Sequence, residues 1–117
     1  MPISPTRSSP RHPSESRVAW WYRRRGWRVL GRNVWAARAE LDLIVRRGRV
    51  LAFVEVKSKA GSGYGDPLEM VTPVKIEHIR RAAWAWLRER PELARLEVRF
   101  DVVAVREGRI EQVPGAF

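Results

Sequence analysis

The chain has 117 residues, no cysteine and a net charge of +10, from 23 Lys and Arg against 13 Asp and Glu. This length predicts one domain with a single core and excludes a separate substrate domain. The missing cysteines exclude disulfides, thiolate catalysis and cysteine-based zinc sites. No segment has the pattern of a signal peptide or a membrane span, so we expect a cytoplasmic protein that does not engage a membrane.

The high charge, with a pI near 11.4, indicates a polyanionic partner, and nucleic acid is the expected one. Most of the positive charge is arginine, which favours planar, bidentate phosphate contacts. The alternative is that the arginine content reflects genome composition or heat adaptation and has no connection with binding.

The N-terminal region divides into a tail and a helix. Residues 1–14 are rich in proline and serine and predict a disordered tail, so the folded domain is expected to span residues 15–117. Ser14 is the expected N-cap of a helix that runs from Glu15 to Arg25 and ends at Gly26. Glu15 falls on the inward side of this helix, either as a first-turn acid that complements the helix dipole or as a functional acid. Trp20 points the other way, as a partner contact or an exposed residue without a role.

Two runs of branched and aromatic residues, 40–45 and 50–57, predict a β-hairpin around residues 46–49. A loop centred between Arg47 and Gly48 pairs Asp42 with Phe53. Glu55 then becomes a diagonal cross-strand neighbour of Asp42, at roughly 7 to 8 Å on the same face, and Lys57 shares that face.

This hairpin has the side chains of a metal-dependent phosphodiesterase. Two carboxylates, Asp42 and Glu55, suit Mg²⁺ or Mn²⁺, which take hard oxygen ligands and leave positions for water and phosphate. Lys57 could orient the attacking water or offset developing charge. The alternative is an exposed surface pair of Glu55 and Lys57. Against it, residues 50–56 are almost continuously apolar, as in a strand covered on both faces.

The next segment supplies the expected nucleic-acid contacts. Residues 60–67 are glycine-rich and predict a mobile loop, which either carries Tyr64 to stack on a base or is a simple connection. Thr72 caps and Pro73 opens a long helix that runs to about Arg90. The nucleic-acid-binding residues that we predict are Lys59, Tyr64 and Lys75.

The last segment predicts a core strand followed by a short strand at residues 110–113. In the core strand Val98, Phe100, Val102 and Ala104 alternate. Asp101 lies on the other face as a structural hydrogen-bond acceptor or an accessory site residue. The resulting order is helix, three strands, helix, two strands, which predicts an α/β fold with a mixed β-sheet flanked by helices.

Four motifs together resemble a known family. They are Leu41-Asp42-Leu43-Ile44, Phe53-Val54-Glu55-Val56-Lys57, Val71-Thr72-Pro73 with Lys75, and Arg99-Phe100-Asp101-Val102-Val103. They resemble the small bacterial proteins of the YraN group, also called UPF0102. The resemblance implies a restriction-endonuclease-like fold with an α-β-β-β-α-β core, similar to that of archaeal Holliday junction resolvases.

The same resemblance implies roles for four residues. Asp42 and the Glu55-x-Lys57 unit would hold the metal and position the water, and Glu15 would complete the site from the first helix. The function that we expect is a Mg²⁺-dependent (or Mn²⁺-dependent) endonuclease acting on structured or branched DNA. The alternatives are a non-catalytic nucleic-acid-binding protein with the same fold and a basic RNA-associated factor. Trp35 and Trp84 fit poorly into a monomer core, which favours a homodimer.

Overall fold

The computed structural model describes residues 13–59 and 67–117. Their order is helix, three strands, helix, two strands, which confirms the predicted α/β fold class and the α-β-β-β-α-β core order. The predicted tail lies outside the described residues except for its last two positions. The elements are α1 (Pro13–Arg24), β1 (Arg28–Ala36), β2 (Ala39–Arg47), β3 (Val50–Lys59), α2 (Pro73–Arg88), β4 (Glu97–Arg106) and β5 (Arg109–Val113), with 3₁₀ turns at Pro67–Met70 and Pro91–Leu93.

The five strands form one mixed sheet in the order β1-β2-β3-β4-β5. Strands β1, β2 and β3 are antiparallel neighbours, β3 and β4 are parallel, and β5 returns antiparallel to β4. A parallel pair needs a crossover, and α2 provides it between β3 and β4. Within the described residues, no helix is both long enough and apolar enough to cross a membrane.

Each face of the sheet is covered by one helix. Helix α1 packs Val18, Ala19 and Tyr22 against Ala52 and Val54 of β3. Helix α2 packs Ile79, Ala82, Ala83 and Trp86 against Leu51 and Phe53, the alternate residues of the same strand. The continuous apolar run of β3 therefore reflects burial on both faces, as predicted.

Helix α1 begins earlier than the sequence predicted. It starts at Pro13, so Ser14 lies inside the first turn and is not the N-cap. Proline is favoured in the first helical turn, where its missing N–H would have no helical partner. The helix ends at Arg24, one residue before the predicted end. Gly26 terminates it as predicted: the φ of Gly26 is +89°, and the Trp27 N–H donates to the Tyr22 carbonyl at 3.1 Å, as in a Schellman motif.

The register of the β2–β3 hairpin differs from the predicted one. Arg47 pairs with Val50 and Leu43 with Val54, so Gly48 and Arg49 form the two-residue turn. Gly48 has a φ of +60°, the conformation that favours glycine at the first turn position. The predicted pairing of Asp42 with Phe53 is therefore wrong. Because the shift is two residues, Asp42 and Glu55 still share a face.

Two other boundaries also differ from the predictions. From the sequence we expect only a short strand from Trp27 to Leu30 before the hairpin, whereas β1 extends to Ala36 because it pairs with β2 along its length. Helix α2 is capped by Thr72 as predicted, since the Thr72 Oγ1 accepts from the Lys75 N–H at 3.2 Å. It ends at Arg88, two residues before the predicted end.

Candidate functional site

The candidate site lies where the sheet is locally irregular. The β1–β2 register passes from Arg32–Leu43 to Val34–Leu41, and the β2–β3 register stops at Leu43–Val54. Continuing both registers by one residue places Asn33, Asp42 and Glu55 in one row across three strands. Asn33 has a φ of +51°, outside the extended conformation of its neighbours.

Strand β2 also changes the facing of its side chains at this row. Leu43 packs with the α1 side of the core, whereas Leu41 packs with the α2 side. Residues two apart in a regular strand share a face, so the alternation slips once at Asp42. A polar side chain at such a slip is placed between the two faces, within reach of both helices.

Asp42 and Glu55 face each other across the hairpin. Their carboxyl groups are close enough to share a hydrogen bond. Glu55 is only 4% exposed, and the Val56 N–H donates to Asp42 Oδ2 at 2.9 Å. The predicted pair of carboxylates is therefore brought together, as direct neighbours and not as diagonal ones.

Burial and mutual repulsion raise the pKa of both carboxyl groups. Burial, followed by the nearby Glu55 charge, raises the pKa of Asp42 from its ordinary value of 3.8 to about 8, and the charge of Glu15 adds to this shift. Burial also raises the pKa of Glu55, while the ammonium groups of Lys75 and Lys57 act in the opposite direction. The site thus concentrates negative charge that the protein only partly compensates.

Two lysines from different elements converge on Glu55. The Nζ atoms of Lys57 and Lys75 lie 3.6 Å and 3.8 Å from Glu55 Oε2. Lys75 stands in the first turn of α2, where a cation opposes the helix dipole. The nearby Glu55 carboxylate offsets this unfavourable position of the Lys75 charge.

Glu15 reaches the site from the first turn of α1 and is held there by Asn33. The Asn33 Nδ2 donates to Glu15 Oε1 at 3.0 Å. Asn33 is 2% exposed, and the sequence prediction missed it. Its only local signal is a polar residue within a strand, of a type that tolerates positive φ.

The remaining predicted positions are Tyr64, Lys59 and Asp101. Tyr64 lies outside the described residues, and Lys59 is the last residue of β3. Asp101 accepts hydrogen bonds from the Tyr22 hydroxyl at 2.7 Å, from Nε and Nη2 of Arg99 and from the Gly115 N–H. These partners support its structural role. Asp101 and burial together raise the pKa of the Tyr22 hydroxyl well above its usual range, with burial the larger cause.

The donor set fits a divalent cation that keeps several waters. Within residues 13–59 and 67–117, no three Asp, Glu, His or Cys side chains are arranged to hold a metal. The site therefore offers two protein carboxylates, Asp42 and Glu55. That is the number that Mg²⁺ commonly takes alongside water and substrate phosphate.

Comparison with known proteins identifies the family. A model of the family described as "Uncharacterised protein family UPF0102" matches residues 14–105. A UPF0102 protein of Syntrophotalea carbinolica is 45% identical over 107 residues, covering 88% of this chain and 86% of the relative. Another, from Anaeromyxobacter dehalogenans, is 42% identical over 107 residues, covering 88% and 79%. The chain therefore belongs to the UPF0102 family.

Proposed function

We propose that this protein is a Mg²⁺- or Mn²⁺-dependent endonuclease that hydrolyses phosphodiester bonds in structured or branched DNA. The observation that carries the proposal is the pair formed by half-buried Asp42 and buried Glu55 at a break in the sheet, with the ammonium groups of Lys57 and Lys75 beside it. Packing alone gives no reason to place two neighbouring carboxylates partly or wholly out of water, because each raises the cost of ionising the other.

The distribution of lysine supports the proposal independently. Of the 23 basic residues, 20 are arginine and three are lysine. The three are Lys57, Lys59 and Lys75: two lie within 4 Å of Glu55, and the third is two residues from Lys57 along β3. A general preference for arginine would have replaced lysine here as elsewhere. A compact ammonium, which arginine cannot reproduce, is therefore expected to matter at this site.

Each residue has a distinct role in the proposed reaction. Asp42 and Glu55 would hold the ion, which would stabilise charge on the phosphoryl oxygens and acidify a bound water. Lys57, 28% exposed, would orient the attacking water. Lys75, 41% exposed, would contact the phosphate. Glu15, positioned by Asn33, would supply a further carboxylate near the water.

The proposal is tested with a panel of labelled duplex, flap, fork and four-way junction DNA, incubated with Mg²⁺ or Mn²⁺. We expect cleavage of at least one branched substrate, abolished by EDTA. A crystal soaked with Mn²⁺ should show density between Asp42 and Glu55, with ligand distances of about 2.0 to 2.6 Å. Metal bound elsewhere, with no cleavage of any substrate, would refute the proposal.

The second candidate is a nucleic-acid-binding protein that keeps the fold without turnover. The net charge of +10 favours it, since charge supports binding whether or not cleavage follows. It predicts that Asp42→Asn binds every DNA in the panel as the wild type does and that metal changes neither affinity nor product.

A further inference from the structure

A second surface of the molecule combines arginine and tryptophan at the end of α1 away from the carboxylates. We call it the Arg–Trp surface, and it comprises Arg17, Trp20, Trp21, Arg24, Arg25, Trp27, Arg28, Arg46, Arg47 and Arg99. It consists of three shallow depressions of 300, 310 and 410 Å³ that share residues. The first two share Trp21 and Arg25, and the last two share Arg47.

The sequence concentrates uncompensated charge on this surface. Residues 16–39 contain seven arginines and no Asp or Glu, and four of the seven lie on this surface; residues 43–54 contain three arginines and no Asp or Glu, and two of the three lie on it. The two segments meet where the Arg47 guanidinium donates to the Arg25 carbonyl at 2.9 Å. Single-sign charge focused along a groove attracts a polyanion.

The arginines are held in place by groups that do not neutralise them. The Arg25 guanidinium lies 3.8 Å above the Trp21 ring and donates to the Trp21 carbonyl. Arg47 lies 4.8 Å above the Trp27 ring. Stacked guanidinium groups of this kind keep their charge and part of their hydrogen-bonding capacity for phosphate. Arg99, which pairs with Asp101, is the exception.

Trp20 gives the surface an exposed aromatic face. Its side chain is 60% exposed, although leaving the large apolar area of an indole in water is unfavourable. Arg17 and Arg24 stand three residues before and four residues after it, so both are its neighbours on the helix surface. A nucleic-acid base could stack on the indole while the flanking arginines bind the phosphates on either side of it.

We propose that the Arg–Trp surface binds single-stranded nucleic acid, with one unpaired base stacked on Trp20. Bases of a duplex are already stacked on each other and cannot cover the indole, so the single strand is the better fit. Glu15 and Arg24 are separated by about 14 Å along α1. The unpaired arm of a branched substrate could therefore lie on this surface while a phosphodiester bond occupies the carboxylate site, a step that rests on the proposed function.

The test measures binding without catalysis. The affinity of the whole protein for a fluorescent dT12 oligonucleotide is measured by anisotropy in EDTA. We expect Trp20→Ala to weaken binding ~10-fold or more, and Trp20→Phe to retain most of it. The matched control is Trp35→Ala, because Trp35 is also 60% exposed but lies at the end of β1; its affinity should be unchanged. A dT12–dA12 duplex should be less sensitive to Trp20→Ala than the single strand.

Three results would overturn the proposal. They are an unchanged affinity of Trp20→Ala, an equal loss in Trp35→Ala, and a loss of self-association in Trp20→Ala with oligonucleotide affinity intact. The last would make this a protein interface. Asp42→Asn should bind dT12 like the wild type. The Arg–Trp surface can therefore be established even if no substrate is cleaved, and it can fail while cleavage persists.

Discussion

At the scale of single residues, the ionised carboxyl group of Asp42 lowers the stability of the metal-free fold. The Asp42 carboxyl group is half-buried, and its partial burial together with the nearby charge of Glu55 raises its pKa to about 8. The hydrogen bond from Val56 fixes one carboxylate oxygen. A divalent cation would remove the repulsion that the metal-free protein has to bear.

The first prediction follows from the sign of this shift. Because the folded-state pKa of Asp42 lies above its ordinary value of 3.8, the metal-free fold should lose stability as the pH rises from about 4 to 8. Asn at this position can still accept from Val56 and donate to Glu55. Asp42→Asn should therefore be more stable than the wild type at pH 8 in EDTA, by on the order of 1 kcal/mol or more.

Thermal melts of both proteins in EDTA, at pH 5 and pH 8, measure this difference. The variant's advantage should be larger at pH 8 than at pH 5. Adding Mn²⁺ should raise the melting temperature of the wild type and leave that of Asp42→Asn unchanged. A variant less stable than the wild type at pH 8 would show that the Asp42 charge is already compensated in the metal-free protein.

The second prediction separates binding from chemistry at Lys57. Lys57→Ala leaves both carboxylates in place, so Mn²⁺ binding and most DNA affinity should persist while cleavage falls ~100-fold or more. Lys57→Arg should also cleave poorly, since a guanidinium cannot occupy the position of a compact ammonium.

Lys75→Arg is the matched control. Lys75→Arg should keep most of the wild-type DNA affinity, because the expected role of Lys75 is phosphate contact, which a guanidinium can also make. Single-turnover rates on the best branched substrate compare the three variants. If Lys57→Ala cleaves as fast as the wild type, the proposed role of Lys57 is wrong even though the endonuclease assignment stands.

At the scale of elements, the hairpin shows what the sequence could predict and what it could not. The two strands and the shared face of Asp42 and Glu55 follow from residue type and alternation. The register could not be predicted from residue type and alternation, because a shift of two residues leaves an alternating pattern unchanged. Placing Gly48 at the first turn position, where positive φ is needed, would have given the observed pairing.

The length of β1 and the position of Asn33 could not be predicted from local sequence patterns. The pattern of β1 is interrupted by Gly31 and Arg32, and only pairing with β2 extends the strand to Ala36. The contact of Asn33 with Glu15 joins residues 18 positions apart. Contacts of this kind depend on how α1 docks on the sheet, which no single segment encodes.

The third prediction concerns how α1 is fixed to β4. The Tyr22 hydroxyl, buried in the core, donates to Asp101 Oδ2 at 2.7 Å. Tyr22→Phe keeps the ring and removes this donor, which should lower the free energy of unfolding by ~1 to 2 kcal/mol. Asp101→Ala should cost more, since it leaves the partly buried Arg99 without its carboxylate.

Urea unfolding of the three proteins measures both effects. Mn²⁺ binding by Tyr22→Phe should be unchanged, because Asp101 belongs to the fold and not to the carboxylate site. A change below about 0.5 kcal/mol in Tyr22→Phe would show that the hydrogen bond is replaced by water.

At the scale of the whole molecule, the carboxylate site and the Arg–Trp surface are two separate charged regions. The carboxylates and at least two of the three lysines lie together near the start of both helices. Arginines and tryptophans occupy the far end of α1 and the tip of the β2–β3 hairpin, which is about 17 Å from Asp42 along β2. A homodimer through Trp35 and Trp84, 60% and 48% exposed, stays a prediction.

The last prediction tests whether this separation governs binding. If arginines on the Arg–Trp surface contact phosphates, the logarithm of dT12 affinity should fall linearly with the logarithm of salt concentration, by about 0.7 for each phosphate neutralised. The double variant Arg24→Gln/Arg47→Gln removes two exposed cations from that surface and should reduce the slope by about 1.4. The matched double variant Arg81→Gln/Arg88→Gln removes two exposed cations from α2 and lowers the net charge equally. An equal loss of slope in both variants would mean that only total charge matters, whereas a loss confined to the first pair assigns the phosphates to the Arg–Trp surface. No binding even at low salt would mean that the high arginine content has no connection with nucleic-acid binding.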